Sequence, residues 1–419
     1  MNGQLLIQRL QECYQNDLSL LLADVQRDRE ALRGWEEPAH LRAALRRQVR
    51  QAQEGDSSDG ILQTKTSSLL RAIEPDPGVE RESLGVVLET GVDALSKVIS
   101  DEAADLTSDE TVSLTCVFLL YCRPSLLIED NRLPEASSIW QDVLHEKRQE
   151  IERNLRGVGR IELVNHPEYD WAATGFLVSE SCLITTRHAA ILFAEACKDE
   201  TWQFRPGVSA WMDFRGHDQG TAACRIVRVI GVHDHYDLAL LEVEPNGVRS
   251  VLPVADCQPD DLVGRQVYLS GYSIRDSRCH EPDTISRVFR EVYHSKRLQP
   301  GCLRELIEFN GVTLVSHDCS MLGQSTGSPV IDCETQQVVG LQVSSRFLEP
   351  AVAIPLWVFK DDPLFREAGV CFRSPTPNQE IEEAKIQLEQ LAQTEAWDEI
   401  RSSIEAVHVR VFGDEPNEG

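Results

Sequence analysis

The sequence predicts an α+β, multidomain protein: an α-helical region over residues 1–156, a β domain over 157–375, and a C-terminal helix with an acidic tail over 376–419. Three observations carry this reading. Apolar residues recur at three- and four-residue steps through the first part, the spacing of amphipathic helices. Past Gly157 short β-branched and aromatic runs separated by turns take over. Helical spacing then returns at Ile381, Ile386, Leu388, Leu391, Trp397 and Ile400.

Taken in order, Leu5, Leu6, Leu10, Cys13, Tyr14, Leu18, Leu21, Leu22 and Val25 form the first apolar stripe. Pro38 stands where a second helix can begin, and the Gly-, Ser- and Asp-rich residues 55–60 read as a loop dividing the region into two candidate subdomains. A helix is expected over 82–99, and Thr107 with Glu110 has capping-box spacing ahead of the apolar run 112–122. Pro134 then opens one long amphipathic segment, 135–155, with charge pairs at helical spacing. The strand-like runs are 160–164, 174–178, 182–186, 223–229, 238–243, 266–270, 312–316 and 338–343, the pattern of a barrel or sandwich. Residues 413–419 have the composition of a disordered tail.

The 41 Lys and Arg against 68 Asp and Glu give a formal charge of −27, which argues against direct nucleic-acid binding. The basic stretch 42–50 is flanked by acidic residues and reads as a solvated helix face. The longest apolar run falls well short of the roughly 20 residues that span a bilayer, so no membrane span is expected. The opening MNGQLLIQRL lacks the basic start and apolar core of a secretory signal. With no export signal, the 12 cysteines are expected as reduced thiols of a cytoplasmic protein. No CxxC pair occurs; Cys279-His280 and His317-x-Cys319 read as loop or strand-packed residues, and neither metal nor cofactor is expected.

Three blocks carry chemistry. Thr174-Gly175-Phe176-Leu177-Val178 leads to Ile184-Thr185-Thr186-Arg187-His188; Asp237-Leu238-Ala239-Leu240-Leu241 follows; Gly323-Gln324-Ser325-Thr326-Gly327-Ser328-Pro329-Val330 is the third. Each sets one group (imidazole, carboxylate, hydroxyl) at the end of an apolar run. The order His, Asp, Ser, with these flanks, resembles chymotrypsin/trypsin-like serine proteases, most nearly the bacterial HtrA-like and glutamyl-endopeptidase-like domains. Val339-Gly340-Leu341-Gln342-Val343-Ser344-Ser345 resembles their pocket-lining strand, and Val352-Ala353-Ile354-Pro355 their closing strand. The resemblance covers about residues 158–365 and implies a double six-stranded β-barrel. It assigns His188 as base and Asp237 as the carboxylate that orients it. Asp234, the alternative, lacks an apolar run directly after it.

The third block is one residue longer than the family's Gly-x-Ser-Gly pattern, so two registers are open. Anchoring on Gly323-Gln324-Ser325 makes Ser325 the nucleophile, with Gly323 and Gln324 forming the oxyanion hole; this is the first choice, because it accounts for both the glycine and the hydroxyl. Anchoring on Gly327-Ser328-Pro329-Val330 instead puts Thr326 at the nucleophile, where its methyl crowds the imidazole, and Gln324 where glycine is expected; this register predicts a weak or dead enzyme. The resemblance places Asp318, Ser320, Gln342, Val343 and Ser344 at the substrate pocket, with a basic P1 residue conceivable if Asp318 faces inward. The expected function is a cytoplasmic serine endopeptidase acting on a protein substrate. Its helical region would recruit or gate it through a protein partner, as in bacterial signalling or antiviral defence proteins of similar layout. The alternative is a pseudoprotease that holds a peptide strand without cutting it. A fragment starting near Arg153 is expected to fold alone.

Overall fold

The computed structural model describes residues 3–32, 84–100, 106–134, 136, 138–197, 201–214, 223–245, 250–272, 295–309, 311–319, 325–344 and 351–374. The Pro38 helix start, the loop at 55–60, Cys279 and His280, Ser320, Gly323, Gln324 and the C-terminal helix and tail lie outside these residues.

The helical region opens with α1 (Gly3–Cys13) and α2 (Leu18–Leu32). Gln15 and Asn16 between them take positive φ, 50° and 67°, so the first apolar stripe runs over two helices joined by a tight turn. Then come α3 (Leu84–Ile99) and α4 (Ser108–Val117). The expected capping box is present: Thr107 Oγ1 accepts from the Glu110 amide, and the Glu110 carboxylate accepts from the Thr107 amide at 2.8 Å. The chain leaves α4 through a π-helical turn, Phe118–Cys122. Leu6, Leu10, Leu21, Leu95 and Leu114 are fully buried in one core here, each burial worth about 1.5–3 kcal/mol.

After the short strand β1 (Leu126–Leu127), the segment expected as one helix is two, α5 (Ser138–Glu146) and α6 (Arg148–Arg156). Lys147, at φ −105° and ψ 17°, breaks the helix. The break lets Trp140 and Leu144 on one side and Ile151 and Leu155 on the other enter the same core.

The first barrel is built from β2 (Val158–Val164), β3 (Trp171–Leu177) and β4 (Cys182–Thr185), then β7 (Ser209–Asp213), β8 (Ala223–Val232) and β9 (Ala239–Val243). Between β4 and β7 the chain forms helix α7 (Arg187–Phe193) and a small sheet of β5 (Ala194–Ala196) and β6 (Trp202–Phe204). The six strands close in the order β2-β3-β4-β9-β8-β7. The second half contains β10 (Val254–Ala255), β11 (Gln266–Tyr272), β12 (Lys296–Phe309), β13 (Val312–His317), β14 (Pro329–Asp332), β15 (Val338–Ser344) and β16 (Ala351–Pro355). Helix α8 (Pro363–Glu367) and β17 (Phe372–Arg373) end it. The ring β14-β11-β12-β13-β16-β15 closes through the β14–β15 pairing, giving a second six-stranded antiparallel barrel.

The first four helices keep their own core, but α5 and α6 share one with the β domain. Trp140, Leu144, Ile151 and Leu155 lie in one cluster with Val158, Tyr268 and Leu298 of the barrels. β1 adds to the edge of β12, and residues up to Arg373 form a single compact unit. A cut near Arg153 passes through this cluster. Beneath this junction the Lys296 ammonium is fully buried, donating to Asn131 Oδ1, the Leu155 carbonyl and the Phe214 carbonyl at 2.7, 2.8 and 3.1 Å.

Candidate active site

His188 is the second residue of α7, directly after β4, so a strand end and a helix start fix its backbone. Asp237 stands in the turn between β8 and β9, and β9 pairs with β4 over Thr185↔Ala239. The pairing brings the two side chains together. His188 Nδ1 lies 2.6 Å from Asp237 Oδ2, and the His188 amide donates to Asp237 Oδ1 at 2.9 Å. A carboxylate can only accept, so Nδ1 carries the proton and Nε2 keeps the lone pair. Burial pushes the Asp237 pKa up, but the hydrogen bonds and charge of His188, with the charge of Arg187, together outweigh it and hold the carboxyl below its ordinary value.

Arg187 is a positioning residue that the motif pattern does not single out. Its guanidinium donates to the carbonyls of His233 and Tyr236, clasping the turn that carries Asp237. The signal is the arginine beside His188, but nothing local announces which carbonyls it will meet.

Thr174 joins the third block to this pair. Its amide donates to the Thr326 carbonyl at 3.1 Å, its carbonyl accepts from Thr185 Oγ1 at 2.8 Å, and its Oγ1 accepts from the Tyr272 amide at 3.0 Å. One residue thus ties both barrels and the candidate nucleophile loop. Gly327 has φ +85°, and a Cβ there would lie 2.0 Å from the Thr174 carbonyl oxygen. Only glycine allows this approach. The Gly327 amide donates to the Gln342 carbonyl at 2.8 Å, which sets the loop against β15.

The two candidate hydroxyls differ in placement. Ser325 is 2 % exposed and its Oγ has no hydrogen-bond partner among the described residues. Thr326 is half-buried, with its carbonyl held by Thr174. His188 Nε2 makes its hydrogen-bond contact with Thr186 Oγ1, at 3.4 Å. Among the described residues no hydrogen bond joins it to Ser325 or Thr326.

The pocket residues separate too. Val343 is half-buried and Ser344 exposed at the end of β15. Gln342 points inward: it is fully buried, its Oε1 lies 2.6 Å from His317 Nε2, and its Nε2 donates to the Ser344 carbonyl. Asp318 cannot serve a basic substrate residue. Its carboxylate is occupied by Arg123 (2.8 and 2.7 Å), by Arg304 and by the Cys302 amide (2.8 Å). An inward acidic residue was legible; that the chain's own arginines occupy it was not, because Arg123 lies 195 residues away.

Residues 173–341 match the trypsin-like peptidase domain family. Among solved structures, the serine endoprotease from Yersinia pestis is similar at 14 % identity, covering 53 % of this chain and 67 % of that one, with a TM-score of 0.36. No curated protein matches. The residues matched as a trypsin-like peptidase domain lie on the two six-stranded barrels.

Proposed function

We propose that the trypsin-like peptidase domain at residues 173–341 hydrolyses peptide bonds of a protein substrate, with His188 as base, Asp237 as the carboxylate that orients it, and Thr326 as the attacking hydroxyl. The observation that carries this is the His188–Asp237 contact of 2.6 Å beside a loop in which Thr326 is half-buried and Ser325 enclosed. Burial is what favours Thr326 over Ser325: a nucleophile must reach the substrate carbonyl, and the Ser325 hydroxyl is enclosed. Nε2 takes the Thr326 proton as the oxygen attacks, and the imidazolium returns it to the leaving amine. Asp237 keeps Nδ1–H fixed and stabilises the imidazolium. In this register the Thr326 backbone amide is an oxyanion donor, and β15 at Val343 and Ser344 pairs with the substrate strand.

The setting is a cytoplasmic one. Among the described residues eleven cysteines are free, which suits a reducing compartment. The helical region is the arm through which a protein partner recruits or gates the domain, in a signalling or antiviral defence role.

A specific observation favours a second reading, the pseudoprotease. The imidazole spends its free nitrogen on Thr186, and threonine's β-methyl restricts rotation toward it. Labelling with a fluorophosphonate probe and mapping the adduct decides. A His188-dependent adduct on Thr326 is expected for an enzyme. An adduct on Ser325 overturns the Thr326 assignment. No adduct on the wild type, but one on Thr326→Ser, means an assembled frame silenced by the methyl group.

A further inference from the structure

Between α1 and the second barrel lies a cleft of about 710 Å³. Cys13, Arg123, Trp140, Cys302 and Arg304 line it. It is separate from His188 and Asp237, and its chemistry does not depend on their role. Cys13 ends α1 and is partly exposed; Cys122 ends the π-helical turn and is fully buried. One guanidinium nitrogen brings the two cysteines together. Arg123 Nη1 donates to Cys13 Sγ at 3.3 Å and to the Cys122 carbonyl at 2.6 Å.

Charge explains why a thiol sits here. Arg123 and Arg304 face the single carboxylate of Asp318, leaving one positive charge without a counter-ion in this network. A Cys13 thiolate balances it. The Cys122 thiol and the charge of Arg123, against burial and Asp318, bring the Cys13 thiol down to about 7. The neighbouring thiols go the other way: burial pushes Cys122 well up and Cys302 to about 11. Cys257 is exposed, yet its thiol is raised by desolvation and by Asp256. Exposure alone would select Cys257 for oxidation; the electrostatics select Cys13.

We propose that Cys13 and Cys122 form an oxidisable thiol pair, in which a hydroperoxide entering the cleft converts Cys13 to a sulfenic acid and Cys122 closes the disulfide. In the first step the Cys13 thiolate attacks one peroxide oxygen and the O–O bond breaks. The other oxygen leaves as hydroxide and is protonated to water; sulfur is oxidised by two electrons and the peroxide reduced by two. In the second step the Cys122 sulfur attacks the Cys13 sulfur, the S–O bond breaks, and hydroxide leaves with the Cys122 proton as a second water. Two thiols and one hydrogen peroxide thus give a disulfide and two waters. A dithiol reductant reverses it. Closure removes the negative charge beside Arg123, at the point where the helical region grips Asp318.

The test is equimolar hydrogen peroxide on the full chain at neutral pH, quenched with N-ethylmaleimide and read by peptide mass spectrometry without reduction. A Cys13–Cys122 linked peptide two hydrogens lighter than the free pair is expected, lost on dithiothreitol treatment and absent in Cys13→Ser. Dimedone should label Cys13 in Cys122→Ser, where the sulfenic acid has no partner. Oxidation of Cys257 ahead of Cys13, or no linked peptide in the wild type, overturns the proposal.

Discussion

Two acid–base pairs organise this molecule, and they are built in opposite ways. His188 and Asp237 are half-open to solvent, with side chains 47 % and 37 % exposed, and touch at 2.6 Å. Arg123 and Asp318 are 5 % and 12 % exposed and meet through two parallel hydrogen bonds of 2.8 and 2.7 Å. Both are orienting contacts. The first can be disturbed with little loss of stability, because water replaces the lost partner. The second cannot, because its removal leaves a charge stranded in a low-dielectric interior. A chain can thus keep a site free to do chemistry while an enclosed pair fixes the surrounding architecture.

The sharpest way to break this contrast is Asp237→Asn. On the proposed mechanism peptidase turnover should fall by ~10⁴-fold, about 5.5 kcal/mol of barrier, through loss of the correct tautomer, with thermal unfolding nearly unchanged. Unchanged turnover would remove Asp237 from the mechanism. Arg123→Met should do the reverse, destabilising the fold by about 3 kcal/mol, because Arg304 alone remains to offset Asp318. A loss below about 0.5 kcal/mol in denaturant unfolding would mean the buried pair is not structural.

Acid sharpens the same pair. Burial raises the Asp318 carboxyl, but Arg123 and Arg304 overcome it and hold the group at about 2. The pKa is depressed on folding, so the stabilisation is complete above the unfolded value of about 3.9 and is lost as pH falls toward 2. Its size is on the order of 2 kcal/mol, and Asp318→Asn should flatten the acid limb of the stability curve. At Gly327, φ of +85° and the 2.0 Å approach to Thr174 mean that Gly327→Ala should cost at least roughly 1–3 kcal/mol and uncouple the loop from β3. Ser325→Ala should change stability by less than about 1 kcal/mol, since it removes a buried hydroxyl without a partner. The smallest effect is kinetic. Alkylation of Cys13 by iodoacetamide should reach half its maximal rate near pH 7, set by Cys122, Arg123, Asp318, Arg304 and Cys302 around it, and Glu12 lines the same cleft. A midpoint near that of an ordinary thiol, about 8.5, would count against the thiolate.

Several elements were legible because their signals are local. The Thr107–Glu110 box, the two strands leading to His188 and the strand after Asp237 follow from short patterns, and the resemblance named the pairing of His188 with Asp237. Others were hidden by polar residues that fold inward. β12 runs 14 residues, from Lys296 to Phe309, but Lys296, Arg297 and Gln299 are polar in a first half buried on both faces, where an apolar run would have marked the strand. Each finds buried partners that the pattern cannot display. The segment at 135–155 reads as one helix since nothing at Lys147 is a breaker; only the need to fill one core from two directions divides it.

By itself, the sequence determined the helical start, the change to strands past Gly157, and the order of imidazole, carboxylate and hydroxyl, because periodicity and motif spacing act within a few residues of chain. Tertiary structure alone decided which hydroxyl is enclosed, that Asp318 belongs to Arg123 and not to a substrate, and that α5 and α6 share a core with the barrels. Those outcomes depend on burial and on charges 195 residues apart, and neither is set until the chain has closed both barrels.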